Sequence, residues 1–227
     1  MAFNKNFFTD SYQNMKIKIL YTYLFCFLFV LFLAGIIFTF QKSDPENIRP
    51  RELDTAITEK IKIGDLVLRE GTSVQSQIIS QLSDSKFSHI GIITSVGDVI
   101  LVTHASNDEE TNEAVSETTL DEFISFDLAY SVRIIRLKNI PVNVREKIAL
   151  NAKQKIGQKF YLVSDSMSNS DKRMYCTTLI YDAIRQELPE FTLKWKTINM
   201  PAINGAFLMP SAFLETDNEI IYSSDKK

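Results

Sequence analysis

The segment from Ile19 to Phe40 holds 22 residues without a charge, and as a helix it would span about 33 Å, the thickness of a bilayer's hydrocarbon core. Nine of the sixteen Phe residues lie in the first forty positions. A chain carrying this segment is expected to be tethered to a membrane, with one folded domain on its C-terminal side. Lys16 and Lys18 precede the run, Lys42 comes after it, and Arg49 and Arg51 leave the positive-inside count balanced. A short tail before a single apolar segment predicts a signal anchor that exports the rest of the chain. The rival is a cleaved signal peptide starting at Met15, but the run exceeds an ordinary signal core and lacks an Ala-x-Ala site. The expected organisation is a tail at 1–18, a transmembrane anchor at 19–40, a polar linker at 41–60 containing Pro45 and Pro50, a folded domain at 61–222, and a tail at 223–227.

Setting aside Lys5, Lys16, Lys18 and Asp10, residues 41–227 retain 22 of the 25 basic and 27 of the 28 acidic residues, a net charge of −5. That argues against a nucleic-acid partner, whose recognition needs clustered cations. Two Cys and two His occur in the whole chain. Cys26 sits inside the apolar run, where a thiol behaves as a small hydrophobe. Cys176 is then the one thiol of the domain, too few for a disulfide within it. Two His and one Cys with no fourth ligand at matching spacing do not make a zinc site, so no metal or cofactor is expected.

Hydrophobic periodicity outlines the domain. Strands are predicted over Ile61–Arg69, Ser88–Thr94, Val99–Ser106, Val132–Leu137 and Glu219–Tyr222. Helices are predicted over Ser73–Leu82, Thr119–Phe126, Val144–Ile156 and from Tyr175 to Leu188, with polar loops at Ser164–Arg173 and around Asp108-Glu109-Glu110. A four-residue turn at 95–98 pairs Thr94 with Val99 and, counting outward, His89 with His104. The two imidazoles would face each other on one side of the sheet, among Ile93, Ile100 and Val102. Cys176 falls at a helix start, where the macrodipole and free N–H groups favour a thiolate and lower its pKa. Its wheel position groups it with Ile180 and Ala183, toward the sheet. A nucleophile (Cys176), a base (His89) and an orienting group (His104) result.

In order along the chain, Gly64-Asp65-Leu66-Val67, Phe87-Ser88-His89-Ile90-Gly91-Ile92, Val102-Thr103-His104-Ala105 and Tyr175-Cys176-Thr177-Thr178-Leu179-Ile180 resemble the blocks of the circularly permuted NlpC-type cysteine hydrolases. These are the YiiX/YebB-like papain-fold proteins, related to lecithin retinol acyltransferase. The resemblance runs from about Ile61 to Tyr222 and includes a C-terminal block, Phe207–Phe213. It implies an α+β, permuted papain-like fold, a small antiparallel sheet packed on the Cys-bearing helix. It also implies Cys176 as nucleophile, His89 as base and His104 as the third polar residue, with Tyr175 a candidate substrate or oxyanion contact. Many such proteins carry Glu where His104 and Thr178 stand. Gly64-Asp65 reads as a turn into a strand.

The expected activity is that of a thiol hydrolase cleaving an amide, in cell-wall peptides, outside a bacterial cytoplasmic membrane. Competing readings are a lipid acyl-ester hydrolase or acyltransferase of the same fold, and a non-catalytic binding module on a papain-like scaffold.

Overall fold

The computed structural model describes residues 49–106, 115–159, 175–200 and 203–225, within a compact unit running from Ile48 to Lys227. The expected span at 19–40, the Asp108–Glu110 stretch and the polar loop after residue 163 up to Arg173 lie outside these residues. Among the described residues, no helix is long and apolar enough to cross a membrane.

The elements run in the order α1 (Thr55–Thr58), β1 (Leu66–Gly71), α2 (Val74–Ser83), β2 (His89–Ser95), β3 (Leu101–Ala105), β4 (Val115–Thr119), α3 (Leu120–Phe123), β5 (Ala129–Leu137), α4 (Val142–Lys153), α5 (Cys176–Glu187), β6 (Lys196–Met200), β7 (Ile203–Phe207), a 3-10 turn (Pro210–Phe213) and β8 (Asn218–Ser223). Six strands form one antiparallel sheet in the order β4-β3-β2-β1-β5-β8, and β6 and β7 make a separate hairpin. The α+β architecture expected from the sequence is present. Three strands were not foreseen: β4, next to the acidic stretch, and the β6–β7 hairpin.

Alternation along the strands divides the core between the two faces of the sheet. Leu66, Leu68, Ile90, Ile92 and Ala105 pack with Ile148 and Ala149 of α4 and with Leu179, Ile180 and Ala183 of α5. Val67, Ile93 and Val102 pack with Leu120, Phe123 and Ile124 around α3. α5 holds its apolar residues on one stripe, buried from Cys176 through Leu179, Ile180, Ala183 and Ile184.

The polar linker expected at 41–60 needs correction over its described part. The Arg49 backbone and guanidinium both donate to Asp127, and Arg51, 8% exposed, donates to the carbonyls of Ile124, Ala129 and Tyr130. Leu53 packs on the α3 side of the core. Residues from 49 onward therefore belong to the domain. Composition read them as a tether because charged side chains with backbone partners look the same in sequence as solvated ones.

Gly64-Asp65 is structural, as its turn reading implied. Gly64 has φ +86°, and a Cβ there would lie 2.8 Å from that of Arg145. Asp65 is fully buried and accepts two bonds from Arg136, at 2.7 and 2.8 Å, and one from the Lys62 backbone. Burial nonetheless pushes its carboxyl above the ordinary range, with Arg136 pulling the other way.

Candidate active site

His89 and His104 are in contact: His89 Nε2 lies 3.1 Å from His104 Nδ1, with the rings edge to face at 5.2 Å between centroids. The register behind this contact differs from the expected one. The hairpin loop spans five residues, 96–100, and Ser95 pairs with Leu101; a bulge at Thr94 then brings Ile93 opposite Val102 and Gly91 opposite His104. His89 is thus a diagonal neighbour of His104 rather than its direct partner. The net displacement is two residues, and an even shift keeps both side chains on one face, whereas a shift of one would have separated them. Long side chains reach their diagonal neighbours across a sheet.

Phe123 of α3 supports the pair, its ring centroid 5.5 Å from that of His89 and 5.1 Å from that of His104. Gly91 makes room for it. A Cβ at that position would sit 2.5 Å from Val102 Cγ1 and 3.3 Å from the Phe123 ring. Arg69 of β1, directly opposite His89 in the β1–β2 register, stacks its guanidinium 4.5 Å from the centroid of the same ring. The two imidazoles are held neutral. Burial, then the Arg69 charge, push His104 down to about 3, and the same causes, with His104 added, lower His89 well below its ordinary value. His104 is 7% exposed, whereas His89 keeps some surface open to solvent.

Cys176 is a free thiol at the first residue of α5 and is 8% exposed. It packs on the sheet as its wheel position predicted, but in the cluster with Ile90, Ile92 and Ala105. The histidines project from the opposite face, onto Phe123. The parts converge at the start of β2, because the Ile90 backbone N–H, one residue after His89, is directed at the sulfur. Among the described residues, no hydrogen bond joins Cys176 to either imidazole. The expected lowering of the thiol pKa is reversed. Burial pushes Cys176 up to about 11, outweighing the N–H groups of Ile90, Thr177 and Cys176 itself and the Arg69 charge. A helix start favours a thiolate only while the sulfur stays solvated, and this one is enclosed by aliphatic side chains.

The first turn of α5 is fixed by its own residues. Thr178 Oγ1 accepts from the Tyr175 N–H at 2.9 Å and donates to the Tyr175 carbonyl at 3.1 Å, closing the N-terminus from within. Thr177 Oγ1 donates to the Leu208 carbonyl at 2.7 Å, and the Tyr175 hydroxyl accepts from the Leu208 N–H at 3.0 Å. Leu208, within the C-terminal block noted in the sequence, thereby clamps the turn that carries Cys176. Tyr175 is 9% exposed, and its hydroxyl is engaged in this clamp.

Arg69, Phe123 and Gly91 were missed by sequence reasoning. Strand alternation could have placed Arg69 on the Val67 face. Nothing local indicates that Phe123 meets two histidines.

Among solved structures, the chain resembles the crystal structure of yiiX from Escherichia coli O157:H7, described as a metalloprotein. The TM-score is 0.57 at 19% identity, covering 73% of this chain and 97% of that one. No group of three or more His, Cys, Asp or Glu is placed to hold a metal ion among the described residues of this chain. No curated protein matches the sequence. The family model of the permuted papain-like amidases of the YaeF/YiiX type matches residues 60–203, which include both histidines and the thiol. With a YiiX-like fold and a family match over more than half its length, this chain belongs to the C92 family of permuted papain-like amidases and is a cysteine hydrolase.

Proposed function

We propose that the chain is a membrane-anchored amidase that cuts cell-wall peptides through Cys176, His89 and His104. The observation that carries the catalytic assignment is the 3.1 Å contact between His89 Nε2 and His104 Nδ1. With His104 Nδ1 accepting from His89 Nε2–H, His89 presents Nδ1 as its basic nitrogen, at the strand end where the sulfur meets β2. Catalytic contacts that are loose in a free site tighten when substrate binds.

The buried thiol rests protonated beside a neutral base, so attack and proton transfer are coupled. Sγ bonds to the amide carbon as its proton passes to His89, and N–H groups at the start of α5 face the oxyanion. The amine leaves with the proton from His89, giving a thioester. Water, deprotonated by His89, then attacks the thioester and releases the acid and the thiol. The anchor rests on the uncharged run Ile19–Phe40, and the cell-wall substrate rests on export together with an amidase fold.

Purified sacculi and phospholipid vesicles are incubated in parallel with the wild type and Cys176→Ala, and products are identified by mass spectrometry. New amine and carboxyl termini in stem peptides, absent with Cys176→Ala, are expected. Fatty-acid release from vesicles instead would refute the cell-wall assignment, and products that persist with Cys176→Ala would refute the nucleophile.

A further inference from the structure

Among the described residues, Arg69 is a cation without a counter-ion. Its Nη1 donates to the Phe123 carbonyl at 2.9 Å, while its Nε is buried with no hydrogen-bond partner. No carboxylate forms an ion pair with it among the described residues, whereas Arg136 is paired with Asp65 and Arg133 with Asp225. Glu122 is near enough to favour its charge without touching it. Burial lowers Arg69 to about 10, so it remains cationic at neutral pH. The two neighbouring imidazoles are neutral, which leaves this guanidinium as the fixed charge beside them. An unpaired cation in such a place costs free energy that an arriving anion would recover. The side chain is only partly buried, so a ligand can reach it, and a guanidinium is well shaped to hold carboxylate or phosphate oxygens.

We infer that Arg69 is an anion receptor of the active site, and that the substrate attacked by Cys176 carries a carboxylate or phosphate close to its scissile bond. The inference rests on the assignment of Cys176 as nucleophile. It narrows the substrate to anionic acyl compounds: a peptide with a free carboxylate near the cut amide, or a lipid with a phosphate headgroup.

The test compares alkylation of Cys176 by iodoacetate and by iodoacetamide, which displace the same iodide with the same sulfur and differ in charge. Rates are read by mass spectrometry of the Cys176 peptide in the purified full-length protein. The ratio of the two rates is divided by that of N-acetylcysteine. A ratio about tenfold above the free thiol is expected for the wild type, since a cation in a low-dielectric site attracts anions far more strongly than in water. Arg69→Met should bring the ratio to the free-thiol value, and Arg69→Lys should keep most of it. A distorted site would change both rates together and leave the ratio alone. A wild-type ratio equal to that of the free thiol overturns the inference, as does a raised ratio that survives Arg69→Met; should Arg69→Met not fold, the wild-type ratio still decides. Protection from iodoacetamide by N-acetylglutamate identifies a peptide carboxylate, and protection by glycerol phosphate identifies a headgroup; protection by neither overturns the inference. His89→Ala separates the two readings. An unchanged iodoacetamide rate in that variant refutes the catalytic assignment without touching charge selectivity, while a slowed rate with no selectivity in the wild type refutes only the anion receptor.

Discussion

Replacing His104 with Asn should remove much of the acid sensitivity that the histidine pair builds into the fold. His104 is pushed down to about 3 in the folded protein, by burial first and by the Arg69 charge second, from an ordinary value of 6.5. Between those two values the unfolded chain binds a proton that the folded chain refuses, so stability is lost as the pH falls from about 6.5 toward 3. Proton binding at 6.5 in one state and at 3 in the other costs about 2 kcal/mol at pH 5 relative to pH 7.5. His89, lowered in the same direction, adds to the loss in both proteins. Asn is the informative replacement because its Oδ1 can stand where His104 Nδ1 accepts, preserving the bond to His89 without a titrating group. Urea unfolding at pH 7.5 and pH 5, monitored by far-UV circular dichroism, measures the effect. The wild type should lose about 2 kcal/mol more than His104→Asn over that interval. Equal losses would mean that His104 protonates freely in the folded state, and the account of a neutral, enclosed imidazole pair would be wrong.

Cys176 alkylation by iodoacetamide at pH 7 should be about tenfold slower than that of a small thiol. A pKa of about 11 leaves about a hundredfold less thiolate, and higher intrinsic nucleophilicity offsets part of that deficit. Its rate should climb with pH until about 11, and a plateau beginning below pH 8 would show a preformed ion pair instead. Gly91→Ala should destabilise the domain by about 1–3 kcal/mol through the clash with Val102 Cγ1; Val102→Ala in the same chain should recover part of that loss, and simple additivity in thermal unfolding would contradict the predicted clash. Asp65→Asn should cost about 3–5 kcal/mol in urea unfolding, because it leaves Arg136 and Arg145 facing each other without their shared buried carboxylate.

The local grammar of the chain was legible where one element decides its own form. The α5 start at Cys176, the β2–β3 hairpin and the face shared by His89 and His104 all come from short-range periodicity. The register did not, because bulge and loop length are set by how Thr94 and the turn settle on their neighbours: Thr94 Oγ1 bonds to Glu117 of β4, a strand absent from the sequence reading. The thiol's protonation was misjudged for a related reason. Helix position is a sequence property, but enclosure by Ile90, Ile92 and Ala105 depends on strands about seventy to ninety residues upstream. Arg51 and Arg69 show the same limit, since one arginine is spent on backbone carbonyls and the other is left, among the described residues, without a carboxylate, and their sequence surroundings do not distinguish them.

The order of elements along the chain has a consequence for synthesis. Both histidines, Phe123 and five of the six sheet strands precede Cys176. At about 5–20 residues per second, the 72 residues from His104 to Cys176 take about 4–14 s to add. When the thiol leaves the ribosome, the strands that will enclose it and both imidazoles have already been made, while Leu208, which holds the turn around it, is still to come.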